Sequence, residues 1–193
     1  MSGVVFLDFD GPIFPEKIHL YPQNQGDVAD DACRKMDLHP MVKYWYADPF
    51  AIAVLNELRK VQPYKLVISS SWADDRLHQR HHIDDLLKVN GLEYDMHEDW
   101  RTPRNPELLR HQQIELWLNA HPEITRNYLI LDDTKSAPDL FFAKTYENTK
   151  IMRERVFLAH EKDGFNHDQF DEMKWIMQEH WNLEVRAKKS LKS

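Results

Sequence analysis

The sequence predicts an α/β fold, a Rossmann-like, three-layer parallel sheet with a small lid or cap insertion. Two observations predict it: short apolar runs that end in polar residues recur along the 193 residues, and segments with helical periodicity separate these runs. Strands and helices that alternate in this way form a parallel sheet with right-handed crossovers. Because this length suits one domain with a core of ordinary size, we expect a single domain over residues 1–185.

Four short segments have the composition of buried strands. The first, VVFLDFD at residues 4–10, is apolar and partly β-branched, and Gly11-Pro12 stops it. The runs KLVIS, NYLILDD and RVFLAH, at residues 65–69, 127–133 and 155–160, have the same form. Their continuous apolar character indicates strands that are covered on both faces.

Four helices are predicted between and after these strands. They lie at residues 48–61, 82–89, 105–119 and 168–181, each with an apolar stripe or a clear end signal. Asp48 is a natural N-cap that Pro49 follows, and Asn105 and Pro106 repeat this pattern. Asn90-Gly91 ends the second helix.

Three segments do not fit the alternation. Residues 14–46 are polar and irregular, so we interpret them as a lid or small cap inserted in the first crossover. Residues 72–104 contain the second helix and then a polar loop. The tail, residues 186–193, carries four basic residues without an apolar pattern and is expected to be flexible. Tyr44, Trp45 and Tyr46, at the end of the lid, either stack a nucleobase or pack the lid onto the core.

Composition excludes several classes of function. The chain has 25 Lys and Arg against 32 Asp and Glu, a net charge of −7, which argues against a non-specific grip on long duplexes. A phosphorylated substrate stays possible, since a bound cation can supply positive charge locally. The single cysteine, Cys33, fits a reducing compartment. No signal-peptide pattern or long apolar run is present, so we expect a cytoplasmic protein without membrane contact. The nucleotide-binding pattern G-x-x-x-x-G-K-S/T is absent.

Polar side chains follow three of the predicted strands. Asp8 and Asp10 end the first, a run of serines that starts with Ser69 ends the second, and Asp132 and Asp133 end the third. Ligands of open parallel sheets bind beyond the carboxyl ends of the strands, where these residues would meet. One Asp pair alone would be explained more simply by turn or helix capping. Three such ends at one edge favour a site in which carboxylate oxygens hold Mg²⁺.

A basic residue is expected near this edge as well. Arg110 lies four residues before Ile114, on the inward stripe of the third predicted helix, and is a candidate phosphate clamp. An ion pair with a local carboxylate is the alternative role for this side chain. Arg104 is the competing candidate for the clamp.

These segments resemble a known family. FLDFDG, ISSSW, the R-x-x-x-I-x-x-W-L pattern from Arg110 to Leu118, and YLILDD together look like the haloacid dehalogenase (HAD) superfamily. More narrowly, they resemble the HAD domain of Swiss Army Knife RNA repair proteins. The similarity extends from residue 4 to about 133, with a weaker likeness at residues 164–166. Pro12 departs from the superfamily pattern, because Thr or Val often stands there.

The resemblance implies hydrolysis of a phosphomonoester through an aspartyl-phosphate intermediate. Asp8 would be the nucleophile, and Asp10 would act as general acid and then as general base. Mg²⁺ would be held by Asp8, the main-chain carbonyl of Asp10, and Asp133, with Asp132 in support.

The resemblance also implies how the phosphate is held. Ser69 would hydrogen-bond a phosphate oxygen, with Ser70 assisting and Gly11 completing the substrate-binding loop. Arg110 would screen the charge between nucleophile and phosphate. Positioning and charge neutralisation of this kind are what phosphoryl transfer needs.

The substrate is less closely defined than the chemistry. The first hypothesis is a Mg²⁺-dependent phosphatase of a nucleotide or of a terminal phosphate of a nucleic acid. The alternatives are a phosphatase of another small phosphorylated metabolite and a non-catalytic HAD-fold binding protein. The presence of Asp8, Asp10 and Asp133 together counts against the last of these.

Overall fold

The core of the molecule is a five-stranded, fully parallel sheet. A computed structural model describes residues 3–35, 45–73, 79–124, 126–135, 137–143, 149 and 151–181. The strands are β1 (Gly3–Leu7), β2 (Tyr64–Ile68), β3 (Asp95–Arg101), β4 (Tyr128–Asp133) and β5 (Val156–Ala159). Their order in the sheet is β3-β2-β1-β4-β5, and every pair is parallel. The predicted α/β fold with a parallel sheet is confirmed.

Alternating strand residues supply two separate cores. In β1, Val5 and Leu7 face one core, whereas Val4 and Phe6 face the other. Strands β2 and β4 divide their side chains in the same way, because successive residues of a strand point to opposite faces of the sheet. All five residues of β1 are buried, as expected for a strand at the centre of a three-layer fold.

Helices cover both faces of the sheet. They are α1 (Gly26–Lys35), α2 (Pro49–Val61), α3 (Arg80–Val89), α4 (Arg110–Ala120), α5 (Pro138–Ala143) and α6 (His167–His180). Buried residues of α2, α3 and α6 join the core around Leu7, and those of α4 and α5 join the core around Phe6. Asp48 caps α2 as predicted, since its side chain accepts a hydrogen bond from the Phe50 amide.

Two sequence predictions about elements are wrong. The third predicted helix begins at Arg110, not at Asn105, because the Asn105 side chain accepts a hydrogen bond from the Glu107 amide and closes a local turn instead. The Gln112 side chain caps the true start by accepting from the Leu109 amide. The second error is the polar loop within residues 72–104, where β3 pairs with β2 at the edge of the sheet. Its sequence, DMHEDWR, contains no fully buried residue and so lacks a strand's apolar run.

The segment at 14–46 is more regular than its composition suggests. Two short 3₁₀ helices, at Glu16–Leu20 and Pro22–Asn24, precede α1, while residues 36–44, and Tyr44 with them, lie outside the described residues. Asn24 is buried, and its amide donates to the carbonyls of Ile18 and Tyr46. These bonds attach the start of the segment to the chain just before α2. Its role as a lid, and the flexible tail at 186–193, stay predictions.

The order of the strands creates a switch point at the centre of the sheet. From β1 the chain builds β2 and β3 on one side, and then crosses to build β4 and β5 on the other. Helices on opposite faces leave a crevice between the ends of β1 and β4, where ligands of such sheets bind. None of the helices in the described part of the chain is long and apolar enough to cross a membrane.

Candidate active site

Three carboxylates converge at the switch point. Asp8 follows the last residue of β1, while Asp132 and Asp133 are the last two residues of β4. One carboxylate oxygen from each residue lies within 4.8 Å of the others, and all three residues are buried. The Asp8 amide donates to the Leu131 carbonyl at 2.8 Å, so the β1–β4 pairing itself sets the position of Asp8. The predicted convergence of the strand ends is confirmed for these three residues.

Burial makes this cluster electrostatically costly. Burial raises the pKa of Asp8 to about 6, against the attraction of Arg110, the Ser70 hydrogen bond and the Phe9 amide, which lower it. Burial and the neighbouring Asp8 carboxylate also raise the pKa of Asp132 well above its usual value. The two groups interact closely, so their protons belong to the pair. Three carboxylates and one guanidinium leave an excess of negative charge, a setting that favours a bound cation.

Arg110 provides the positive charge of the site. Its Nη1 lies 3.9 Å from Asp8 Oδ1 and its Nε lies 3.7 Å from Asp132 Oδ2. Burial opposes the charge of the guanidinium, but the carboxylates of Asp132 and Asp8 more than offset this and raise the pKa of Arg110. The same Nη1 donates to the Ser69 hydroxyl at 3.4 Å. Arg110 therefore connects the ends of β1, β2 and β4.

The competing arginine lies elsewhere. Arg104 is exposed, and its Nη1 donates to the Ser71 carbonyl at 3.0 Å. Between the two candidates, the structure brings Arg110 to the carboxylates. Ser69 and Ser70 are both buried beside them, directly after β2, as the sequence predicts.

Asp10 does not belong to the group of three converging carboxylates, because β1 ends at Leu7 and the chain turns at Asp10, but its charge still acts on Asp8. A bridge between Asp10 and Phe14 closes this turn, so Asp8 and Asp10 do not alternate along a strand. The Asp10 carboxylate instead accepts a hydrogen bond from Trp72 Nε1 at 3.1 Å. The Trp72 ring stacks on Phe14, with ring centroids 5.1 Å apart and nearly parallel planes.

Trp72 is the site residue that sequence reasoning missed. It directly follows the serine run, and it is the middle residue of a three-residue 3₁₀ helix, Ser71–Ala73. The sequence did contain a signal for its role, because a tryptophan N–H donor directly follows the polar end of a strand. The N–H of a partly buried tryptophan needs an acceptor, and a strand-end carboxylate is a suitable one.

Gly11 allows the two acidic loops to approach each other. Its φ is +84°, a left-handed conformation that glycine adopts without strain. A Cβ at this position would lie 2.4 Å from the Cβ of Asp133, far closer than two carbon atoms can approach. The D-x-D-G pattern therefore needs its glycine for two reasons, the turn after Asp10 and the contact with the end of β4.

The donor atoms of the cluster fit a hard divalent cation. Asp8 Oδ2 and Asp132 Oδ2 are buried and accept no hydrogen bond within the described ranges, and buried oxygens of this kind require compensation. Carboxylate oxygens that converge in this way are the ligands that Mg²⁺ prefers. The closely spaced histidines at 78, 81 and 82 are a weaker candidate for a metal site, and His81 and His82 belong to no cluster of three ligands in the part of the chain that the structure describes, while His78 lies outside it.

The fold and the site together define a class of protein. An α/β domain that places carboxylates, an arginine and two serine hydroxyls at its switch point is equipped for binding a cation and a phosphate. The comparison with protein families specifies the class further. Residues 4–170 match the model of the HAD domain in Swiss Army Knife RNA repair proteins, and the chain belongs to this family.

The match confirms the resemblance drawn from the motifs and extends it. It continues past the end of β4 to include β5 and the start of α6, beyond the limit at about residue 133 that the motifs indicated. Membership assigns the chain to hydrolase-type HAD proteins, in a family whose name refers to RNA repair. No curated protein and no solved structure matches the chain significantly.

Proposed function

We propose that this protein is a Mg²⁺-dependent phosphatase that hydrolyses a phosphomonoester, with a nucleotide or a nucleic-acid terminal phosphate as substrate. The observation that carries the proposal is the position of Asp8, a buried carboxylate at the switch point beside Asp132, Asp133 and Arg110. Family membership supports the same class of reaction.

Asp8 is the nucleophile of the proposed reaction. One of its carboxylate oxygens attacks phosphorus in line with the leaving oxygen, the bond from phosphorus to that oxygen breaks, and an aspartyl-phosphate forms. Asp10 gives a proton to the leaving oxygen. A water molecule then attacks the aspartyl-phosphate, Asp10 takes a proton from it, and Asp8 and inorganic phosphate are released.

The neighbouring groups position the phosphate and balance its charge. In this scheme, the Ser69 and Ser70 hydroxyls donate hydrogen bonds to phosphate oxygens, and the charge of Arg110, which lies 3.9 Å from Asp8, reduces the repulsion between the Asp8 carboxylate and the phosphate. Asp8, Asp133 and the Asp10 carbonyl would hold Mg²⁺, with Asp132 in support. When bound, the cation neutralises charge on the transferring group.

Trp72 has a positioning role in this scheme. Its Nε1 donates to Asp10 Oδ2, and its stacking on Phe14 fixes the direction of that bond. The general acid and base is thus held by a rigid aromatic group.

The decisive experiment measures phosphate release from a substrate panel. The panel contains a chromogenic phenyl phosphate, mononucleotides, and oligonucleotides with 3′ or 5′ phosphates, each tested with Mg²⁺ and with EDTA. Asp8→Asn is expected to lower kcat by at least about a thousandfold, as for loss of a nucleophile. Asp30→Asn, on the exposed face of α1, is the matched control and should leave turnover unchanged.

The outcomes separate the hypotheses. Release that needs both Mg²⁺ and Asp8 supports the phosphatase, and mass spectrometry of wild type quenched during turnover should then find one phosphoryl group on Asp8. Equal release by wild type and Asp8→Asn would rule out the proposed mechanism. Failure of folded wild type to release phosphate from any substrate would favour the non-catalytic binding protein.

A further inference from the structure

Two openings of opposite charge flank the carboxylate cluster. The first, which we call the arginine cleft, is lined by Ser70, Arg101, Arg104 and Arg110, with no carboxylate among its described lining residues. The second, the acidic mouth, is lined by four carboxylates, from Asp10, Glu16, Asp133 and Glu161.

The acidic mouth repels a polyanion even though it contains a lysine. Lys135 Nζ lies 3.3 Å from Glu16 Oε1 and 4.0 Å from Glu161 Oε2, so its charge is already balanced within the mouth. A substrate whose phosphate reaches Asp8 and whose remainder is also anionic would therefore extend into the arginine cleft. The charge distribution gives the substrate a direction.

The arginine cleft continues into a larger neighbouring cavity. Arg101, Thr102, Arg104 and Pro106 line both the cleft and a neighbouring cavity of about 760 Å³. This cavity lies beside the edge strand β3 and reaches Trp117 and His121 at the end of α4, whereas the arginine cleft contains Arg110 at the start of that helix. The 11 residues of α4 span about 16 Å, so the combined groove is longer than a single nucleotide needs.

The groove combines arginine and aromatic side chains. Trp100 lines the cavity and is partly buried, and the Arg101 guanidinium lies 5.2 Å from the centroid of its ring. Proteins that bind single-stranded nucleic acid combine cations that follow the backbone with aromatic rings on which bases stack. The lining of the cavity also includes two carboxylates, Glu98 and Asp99, and Asp99 Oδ2 lies 2.9 Å from His121 Nε2.

We propose that this groove binds a single-stranded nucleic-acid end. The terminal phosphate lies at Asp8 and Arg110, the next phosphodiester contacts Arg104 in the arginine cleft, and a base stacks on Trp100. This inference rests on the proposed function for the terminal phosphate, and it adds Arg104 and Trp100 as the residues that select a chain over a mononucleotide. A small phosphorylated metabolite would leave both unused.

Binding is measured first, with a protein that cannot turn over. Asp8→Asn is titrated with single-stranded hexamers of ribo- or deoxyribonucleotides that carry a 5′ or 3′ phosphate and a fluorophore at the other end. Anisotropy gives the affinity, and the matching mononucleotides compete. We expect a hexamer with a terminal phosphate to bind at least about tenfold more tightly than its mononucleotide.

Variants in the Asp8→Asn background locate the binding. Arg104→Gln should weaken hexamer binding about tenfold and reduce the slope of log affinity against log salt by about 0.7, the value for one contact to a single-strand phosphate. Trp100→Leu should weaken it by about tenfold without changing the slope. Lys60→Ala, which removes a charge from the last turn of α2, is the control and should change neither.

Kinetics provide the second measurement. With Asp8 restored, Arg104→Gln should lower kcat/KM for the hexamer at least about tenfold more than for the mononucleotide. Equal effects of Arg104→Gln on both substrates would contradict the proposal that the groove binds the chain. The same conclusion would follow if Asp8→Asn bound the hexamer with equal affinity with and without Arg104→Gln. If the protein binds the hexamer specifically but hydrolyses no member of the panel, the groove binds nucleic acid as proposed, and the proposed phosphatase activity is wrong. If the protein hydrolyses mononucleotides and shows no preference for the hexamer, the phosphatase activity is supported, and the proposed nucleic-acid groove is wrong.

Discussion

At the scale of single residues, the site is held in an unfavourable state by the rest of the fold. Asp8 and Asp132 are buried together, and the pKa of each is raised. A raised carboxyl pKa means that folding works against the ionised form, so without a bound cation these carboxylates destabilise the protein at neutral pH. Groups with shifted pKa values concentrate at functional sites for this reason. The energetic cost of Asp8 is therefore measurable without any substrate.

We predict that Asp8→Asn stabilises the metal-free protein at pH 7.5. The pKa of Asp8 rises from 3.8 to about 6 on folding, which corresponds to at most about 3 kcal/mol of free energy of unfolding. The favourable contribution is complete below pH 3.8 and is lost as pH rises through about 6, because the native state holds the proton more tightly. Denaturant unfolding in EDTA, at pH values from 4 to 8, measures this.

The difference between variant and wild type should grow with pH. Asp30→Asn, on an exposed helix surface, should show no comparable change. A variant that is less stable than wild type at pH 7.5, or a difference that does not depend on pH, would contradict the assignment of burial as the cause.

Trp72 gives a second prediction at the residue scale. Trp72→Phe removes the hydrogen bond to Asp10 but keeps an aromatic ring to pack on Phe14. Because proton transfer by a positioned acid contributes about a hundredfold or more, partial loss of its position should lower kcat by about tenfold and leave KM nearly unchanged. Steady-state kinetics measure this.

The matched control for Trp72 is Trp175→Phe, since Trp175 is an exposed tryptophan on α6. Both variants should unfold within about 1 kcal/mol of wild type. If Trp72→Phe instead raises KM with kcat unchanged, Trp72 contacts the substrate and does not position Asp10.

At the scale of elements, the turn after β1 is the most constrained part of the site. We predict that Gly11→Ala costs at least about 2 kcal/mol more free energy of unfolding than Gly91→Ala. Both glycines have left-handed φ values, +84° and +77°, so both variants lose the same conformational freedom. Only at Gly11 does the added Cβ meet another residue, the Cβ of Asp133 at 2.4 Å, whereas nothing lies within 4 Å at Gly91. Paired denaturant melts measure the difference, and equal costs would show that the loop can move away from β4.

The elements also show what local sequence can predict. The starts of α2 and of the three central strands were predicted within a residue or two, because capping by Asp48 and continuous burial leave signals in the sequence itself. The start of α4 was wrong because Asn105 can satisfy either a helix or a turn, and only the tertiary fold decides. Strand β3 was missed because an edge strand that is partly exposed on both faces has no apolar run.

At the scale of the whole molecule, the site follows from topology. The sequence predicted Asp8, Ser69, Ser70, Arg110, Asp132 and Asp133 as neighbours because parallel strands end at one edge, and the structure brings these six together. The sequence alone could not show whether the Asp10 side chain points to the same face as Asp8, because the answer depends on where β1 ends. Trp72 was missed for a similar reason: its bond to Asp10 joins two loops that only the finished sheet brings together.

The last prediction concerns the cation that this topology implies. At pH 7.5, Mg²⁺ should raise the unfolding temperature of wild type progressively with its concentration, since a ligand that binds only the native state adds about 2.7 kcal/mol at a hundredfold excess over its Kd. Asp133→Asn removes one of the three converging carboxylates and should abolish most of this shift, because the remaining oxygens hold a cation too weakly. Asp30→Asn should retain it in full. Calorimetric scans with Mg²⁺ and with EDTA measure the shift, which needs no substrate and no turnover. An equal shift in Asp133→Asn and wild type would mean that the cation binds outside the switch point, and the carboxylate cluster would then need another explanation for its buried charge.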